Sequence, residues 1–88
     1  MYKLRQILLR ARKAKRMTQR QAAACAHVSL KTVTNVETGM VIPNTTTLYK
    51  LSVVYGLDLS QLQKIALQEE IERIGSKSGS LPIAGAAR

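Results

Sequence analysis

Apolar residues fall into short rows at three- and four-residue spacing, broken by residues that start and stop helices. Leu4, Leu8 and Ala11, flanked by Ile7 and Ala14, predict a helix over about 3–15, with Lys3, Arg5, Arg10, Lys13 and Arg16 on its other face. Thr18-Gln19-Arg20-Gln21 is a capping box, in which Thr18 accepts from the third helical N–H and Gln21 reaches back. It opens a short alanine-rich helix, 19–26, ending near His27. Ser29 is an N-cap residue before a helix from Leu30 to about Thr38, with Gly39 as its left-handed stop. Thr45 is read as the next N-cap, before a helix carrying Leu48, Leu51, Val54 and Tyr55 and closed by Gly56. Asp58-Leu59-Ser60-Gln61 reads as a second capping box, opening a last helix from Leu59 to about Ile74. From Gly75 onward the glycine- and serine-rich composition predicts a flexible tail. No strand and no internal repeat is read, so the fold class is all-α with five helices.

Helices 19–26 and 30–38 are joined by three residues, a spacing that lets them cross steeply while the second projects from the body. This is a helix-turn-helix unit. Ala23 is small where the two helices approach, and His27 stands where the chain must turn with positive φ. Val28 plugs the turn, and Val33 and Val36 hold the second helix from beneath. Ser29, Leu30, Lys31, Thr34 and Asn35 are left facing outward.

Charge indicates what such a helix would meet. Fourteen Lys and Arg against five Asp and Glu give +9 over 88 residues. Residues 1–64 carry eleven basic side chains and only Glu37 and Asp58 as acids, so all the net charge lies there. That is the footprint of a phosphate-binding surface. An anionic membrane is the other candidate, but the basic helix has no aromatic anchors. At 45% hydrophobic residues the chain is too apolar for a disordered one, and with three Tyr and no Phe or Trp its core is built from aliphatic side chains. One Cys and one His hold no metal and make no internal disulfide. No grouping supports catalysis or a cofactor. The start lacks a signal peptide's apolar stretch, and no segment approaches the ~18 apolar residues of a membrane span. A soluble, cytoplasmic protein is expected.

The ordered elements Leu4…Leu8…Arg12, Met17-Thr18-Gln19…Ala22-Ala23, Val28-Ser29…Val33…Val36-Glu37-Thr38-Gly39, Pro43…Leu48…Leu51 and Tyr55-Gly56-Leu57-Asp58-Leu59…Leu62 carry a resemblance. Over about residues 4–66 the chain resembles the phage-repressor helix-turn-helix family, of the lambda-repressor and Cro type. The resemblance implies a compact five-helix domain binding operator DNA in the major groove, usually as a homodimer, with a phage, plasmid or bacterial origin. It also implies that Ser29, Leu30, Lys31, Thr34 and Asn35 read bases or adjoining phosphates, and that Gln19 contacts phosphate and base. Lys13, Arg16, Arg20 and Asn44 join Gln19 on the phosphates. Arg12 and Glu37 fall where the family has a structural ion pair. Lys31 can donate to guanine O6 and N7, Asn35 can pair with adenine N6 and N7, and Leu30 can pack on a thymine methyl. Three departures stand out: His27 for the usual turn glycine, Ala22 for a larger aliphatic, and Met40-Val41-Ile42 for a commonly basic loop.

The last helix carries two apolar rows. Leu59, Leu62 and Ala66 face the core, while Leu67, Ile71 and Ile74 lie about a quarter turn away. One small domain does not easily cover both. The chain is therefore divided into a DNA-binding domain (1–66), a helical extension serving as dimer contact (67–74) and a tail (75–88). Met40 and Ile42 are expected to join the dimer contact; alternatively Leu81 to Ala84 fold back over the row. The leading function is an operator-binding regulator, more specifically a repressor, acting as a homodimer on double-stranded DNA. The alternative is an antitoxin-like or adaptor protein, docking a protein partner through the last helix and its Glu69-Glu70…Glu72 cluster. Cys25 is read as a partly buried filler, His27 as a turn residue, and Tyr49 and Tyr55 as core edge.

Overall fold

The structure, a computed structural model, describes residues 3–78. Within them the chain forms α1 (Lys3–Ala14), α2 (Gln19–Ala26), α3 (Leu30–Thr38), α4 (Thr45–Tyr55) and α5 (Leu59–Ser78). No strand occurs among the described residues. Helix α2 packs on α3 and α4, α1 lies across α3, α4 and α5, and α5 closes the domain against α4.

The aliphatic rows meet in one core. Leu4 and Leu8 of α1, Val33 of α3, and Leu48 and Leu51 of α4 are almost wholly buried, each worth about 1.5–3 kcal/mol in removed apolar surface. Ala22, Ala26, Val36, Tyr55, Leu62 and Ala66 are buried with them, with Val28 and Ile42 packed at the edge. Ala22, small as it is, is fully enclosed. Buried alanines let α2 approach α3 and α4 closely.

Helices α1 to α3 end in the same motif: a residue near the left-handed region, the next N–H reaching back five residues and its own reaching back three. The pairs are Arg16 to Lys13 and Met17 to Arg12 after α1, and His27 to Ala24 and Val28 to Ala23 after α2. After α3 they are Gly39 to Val36 and Met40 to Asn35. Gly56 ends α4 at positive φ, and the Leu57 N–H likewise reaches back five residues to Ser52. Glycine takes the turn at two of the four stops, and His27 and Arg16 adopt φ 58° as L-residues at the other two. Arg16 was not anticipated in that role.

Three details of the helix ends differ from the sequence reading. The N-cap of α4 is Asn44, not Thr45; its Oδ1 accepts the Thr47 N–H at 2.9 Å. Asp58 accepts from Ser60 N–H at 3.1 Å, two residues on, rather than from Gln61. Helix α5 continues past Ile74 to Ser78, because one glycine inside a helix costs about 1 kcal/mol and does not terminate it. The Leu81–Ala84 fold-back lies outside the described residues.

Two further expectations are corrected. Cys25 is exposed; the buried face of α2 is Ala22, Ala23 and Ala26, and Cys25 lies about 100° from its centre. Tyr49 is exposed as well, since α4 buries Leu48, Leu51, Ser52 and Tyr55 and turns Tyr49 and Val53 to solvent.

Candidate nucleic-acid interface

Helix α3 is presented by its neighbours. Val33 and Val36 pin it to the core, and Ser29 caps its start by accepting the Thr32 N–H at 3.0 Å. The Ser29 hydroxyl also shares a 2.8 Å hydrogen bond with Thr32 Oγ1. This anchoring leaves Leu30, Lys31 and Thr38 exposed and Thr34 and Asn35 half-exposed, along about two turns. Thr38 was missed by the sequence reading, although its spacing from Lys31 and Thr34 puts it on the same face; its hydroxyl donates to the Asn35 carbonyl at 3.2 Å.

The back of α3 is locked by a buried polar network. Arg12 Nε and Nη2 donate to Glu37 Oε2 and Oε1 at 2.7 and 3.0 Å, a two-pronged ion pair. Arg12 Nη1 donates to the Met17 carbonyl at 2.7 Å, tying the pair to the turn between α1 and α2. Gln19 Nε2 donates to Glu37 Oε1 at 2.8 Å, and the Thr34 hydroxyl donates to Gln19 Oε1 at 3.1 Å. The hydrogen bond to Glu37 holds the Arg12 pKa above its usual value, against the opposing effect of burial. Four side chains from α1, α2 and α3 thus fix the orientation of the outward helix.

The network changes the part Gln19 can take. It is half-buried with its carbonyl and one amide hydrogen engaged inside the protein, which leaves one N–H for an outside acceptor. Asn44 likewise spends its oxygen on the cap and keeps its amide N–H groups. Lys13, Arg16 and Arg20 are exposed near the α1–α2 turn. Thr18 caps α2 through both halves of its box, at 3.0 and 2.9 Å, leaving the N–H groups of Gln19 and Arg20 at a positive helix end.

A family model of the helix-turn-helix, of the lambda-repressor and Cro-like type, matches residues 8–62, the span holding this network and the exposed face of α3. The chain belongs to this family. No curated protein and no solved structure matches it. Membership makes the chain a DNA-binding transcription regulator, of a family that is regulatory and not enzymatic. Among the described residues no helix is long and apolar enough to cross a membrane, and no three His, Cys, Asp or Glu gather where they could hold a metal.

Outside the helix-turn-helix, α5 shows two sides. Leu62, Ala66 and Glu69 are buried and Ile65 is half-buried. Leu67, Ile71 and Ile74 are 62, 47 and 48% exposed. With Ile65 and Glu69 counted on the inner face, the outer row is about 150° from its centre, further than the quarter turn expected. Met40 is 70% exposed, whereas Ile42 packs against the core, so Ile42 has only part of its surface left for a second molecule.

Glu69 is the functional surprise of α5. Expected as part of an acidic docking cluster, it is buried, and its Oε2 accepts the Leu4 backbone N–H at 2.8 Å. The residue directly ahead of Lys3 is Tyr2, whose side chain is not of the capping kind. A carboxylate 65 residues away does that work and favours the positive end of the helix. The missing local cap was the signal in the sequence; nothing there named its replacement.

Proposed function

We infer that the protein is a transcriptional repressor that binds an inverted-repeat operator as a homodimer, with α3 in the major groove. Lys31 and Asn35, one turn apart, read base edges, with Leu30 against a thymine methyl. Thr34 faces base edges beside them, and Ser29, Arg16, Arg20, Lys13, Asn44 and the remaining N–H of Gln19 hold neighbouring groups and phosphates. The cytoplasm of a bacterium, or a phage or plasmid acting there, is the setting this chemistry fits.

The observation that carries the dimer is the exposure of Leu67 and Ile71 on the side of α5 turned away from the core, with Ile74 continuing the row. Pairing two such rows about a two-fold axis forms a self-complementary contact, to which Met40 adds apolar surface. The recognition helices then lie about 34 Å apart, on half-sites one turn apart. The adaptor reading loses its acidic surface in part, because Glu69 is consumed inside the fold. Sedimentation of the full chain with and without DNA tests the proposal. Wild type is expected as a dimer, and Ile71→Glu as a folded monomer with weakened operator binding. A monomeric wild type on DNA bearing one half-site, or unchanged operator affinity in Ile71→Glu, contradicts it.

A further inference from the structure

Thr34 lies at the edge of the outward face of α3, half-exposed, one turn beyond Leu30 and Lys31. The polarity of its hydroxyl is set three side chains away. Arg12 has only N–H groups to offer, and Glu37, in its ion pair, has only acceptor oxygens. Glu37 Oε1 therefore faces an N–H of Gln19, at 2.8 Å, and the Gln19 amide must turn its oxygen the other way. Thr34 Oγ1 stands 3.1 Å from that oxygen. Two oxygens at that distance need a hydrogen between them, and only the threonine has one. The hydroxyl hydrogen is thus committed inward, and lone pairs and the γ-methyl are what Thr34 shows to the groove. Turning the hydrogen outward would leave Gln19 Oε1 without its donor.

We propose that Thr34 is a specificity-determining acceptor that takes an exocyclic amino group, adenine N6 or cytosine N4, and rejects the carbonyls of thymine or guanine at the same place in the major groove. The reading rests on α3 lying in that groove. It is degenerate in a defined way: an acceptor-only group does not separate adenine from cytosine, since both present an amino group there. Each base pair has one amino and one carbonyl edge centrally in the groove, so Thr34 fixes which strand carries which.

The test is selection of the full chain on a random DNA pool, with wild type, Thr34→Val and Thr34→Ser. Wild type is expected to show one position per half-site where adenine and cytosine are both accepted and guanine and thymine are depleted about tenfold. Thr34→Val, of the same shape without the hydroxyl, flattens that position and no other, and Thr34→Ser restores it. A second measurement needs no variant: on the wild-type protein, replacing the base there with its analogue lacking the amino group lowers affinity about tenfold. The proposal is overturned if no position responds to Thr34→Val, if the responding position prefers guanine or thymine, or if the analogue binds as well. A selection that returns no motif at all removes α3 as the reading helix, and the proposal with it; a motif with no position dependent on Thr34 overturns the proposal alone.

Discussion

Replacing Glu37 by alanine would leave three donors facing empty space: Arg12 Nε, Arg12 Nη2 and Gln19 Nε2. The guanidinium is the costly one, since it sits in a nearly closed site. Stranding one partner of a fully buried pair costs about 3–5 kcal/mol. Arg12 keeps its bond to the Met17 carbonyl, and Gln19 is open to water on one side. A loss of about 2–4 kcal/mol is therefore expected, lowering the Tm by about 10–25 °C in a domain of this size. Removing both charges with apolar replacements, Arg12→Met with Glu37→Leu, leaves no charge unpaired, only the Met17 carbonyl and one Gln19 N–H without their partners, and should return most of the loss. The assay is a double-mutant cycle by denaturant unfolding, run at low salt and at about 0.5 M salt. A coupling of about 2 kcal/mol that survives salt fits a buried pair. Single effects that add to within about 0.5 kcal/mol, or a coupling abolished by salt, would refute the reasoning.

Burial, reinforced by the charge of Glu37 and opposed by that of Arg12, pushes the Tyr55 hydroxyl up to about 12. Folding thus favours its neutral form, so its contribution is complete below the ordinary value near 10 and is lost as pH rises through about 12; Tm measured over that window should fall less steeply in Tyr55→Phe. His27→Gly relieves a left-handed L-residue at the helix-turn-helix corner and should stabilise by about 0.5–1 kcal/mol, and an unchanged or lower Tm would show that the corner carries no strain. With the basic side chains near the α1–α2 turn on phosphates in each half of a dimer, log K against log salt should have a slope of about −5 or steeper; a flat slope means the positive charge serves another purpose.

The helices were legible because each carries its own three- and four-residue apolar row and a local stop. Thr18, Ser29, Gly39 and Gly56 act where their chemistry put them. Their order and spacing also identified α3 as the projecting helix, since Val33 and Val36 leave only one face outward. What escaped depends on contacts between distant positions. Glu69 reads as one more exposed acid of a charged helix until α1, lacking a cap, is laid against it. Gln19 and Thr34 read as two independent polar residues, and only the crossing of α2 over α3 brings them together. The error at Cys25 has a local cause: in a run of small residues, no size contrast marks which face of α2 is buried.

The claim that the outward face of α3 reads bases is tested most directly at Lys31. Affinity of wild type and Lys31→Ala would be measured, at one fixed salt concentration, on the selected operator and on a random duplex of equal length. A base contact predicts a loss of about tenfold to a hundredfold on the operator and little change on the random duplex, so that the specificity ratio collapses. Equal losses on both would place Lys31 on phosphate and contradict the account.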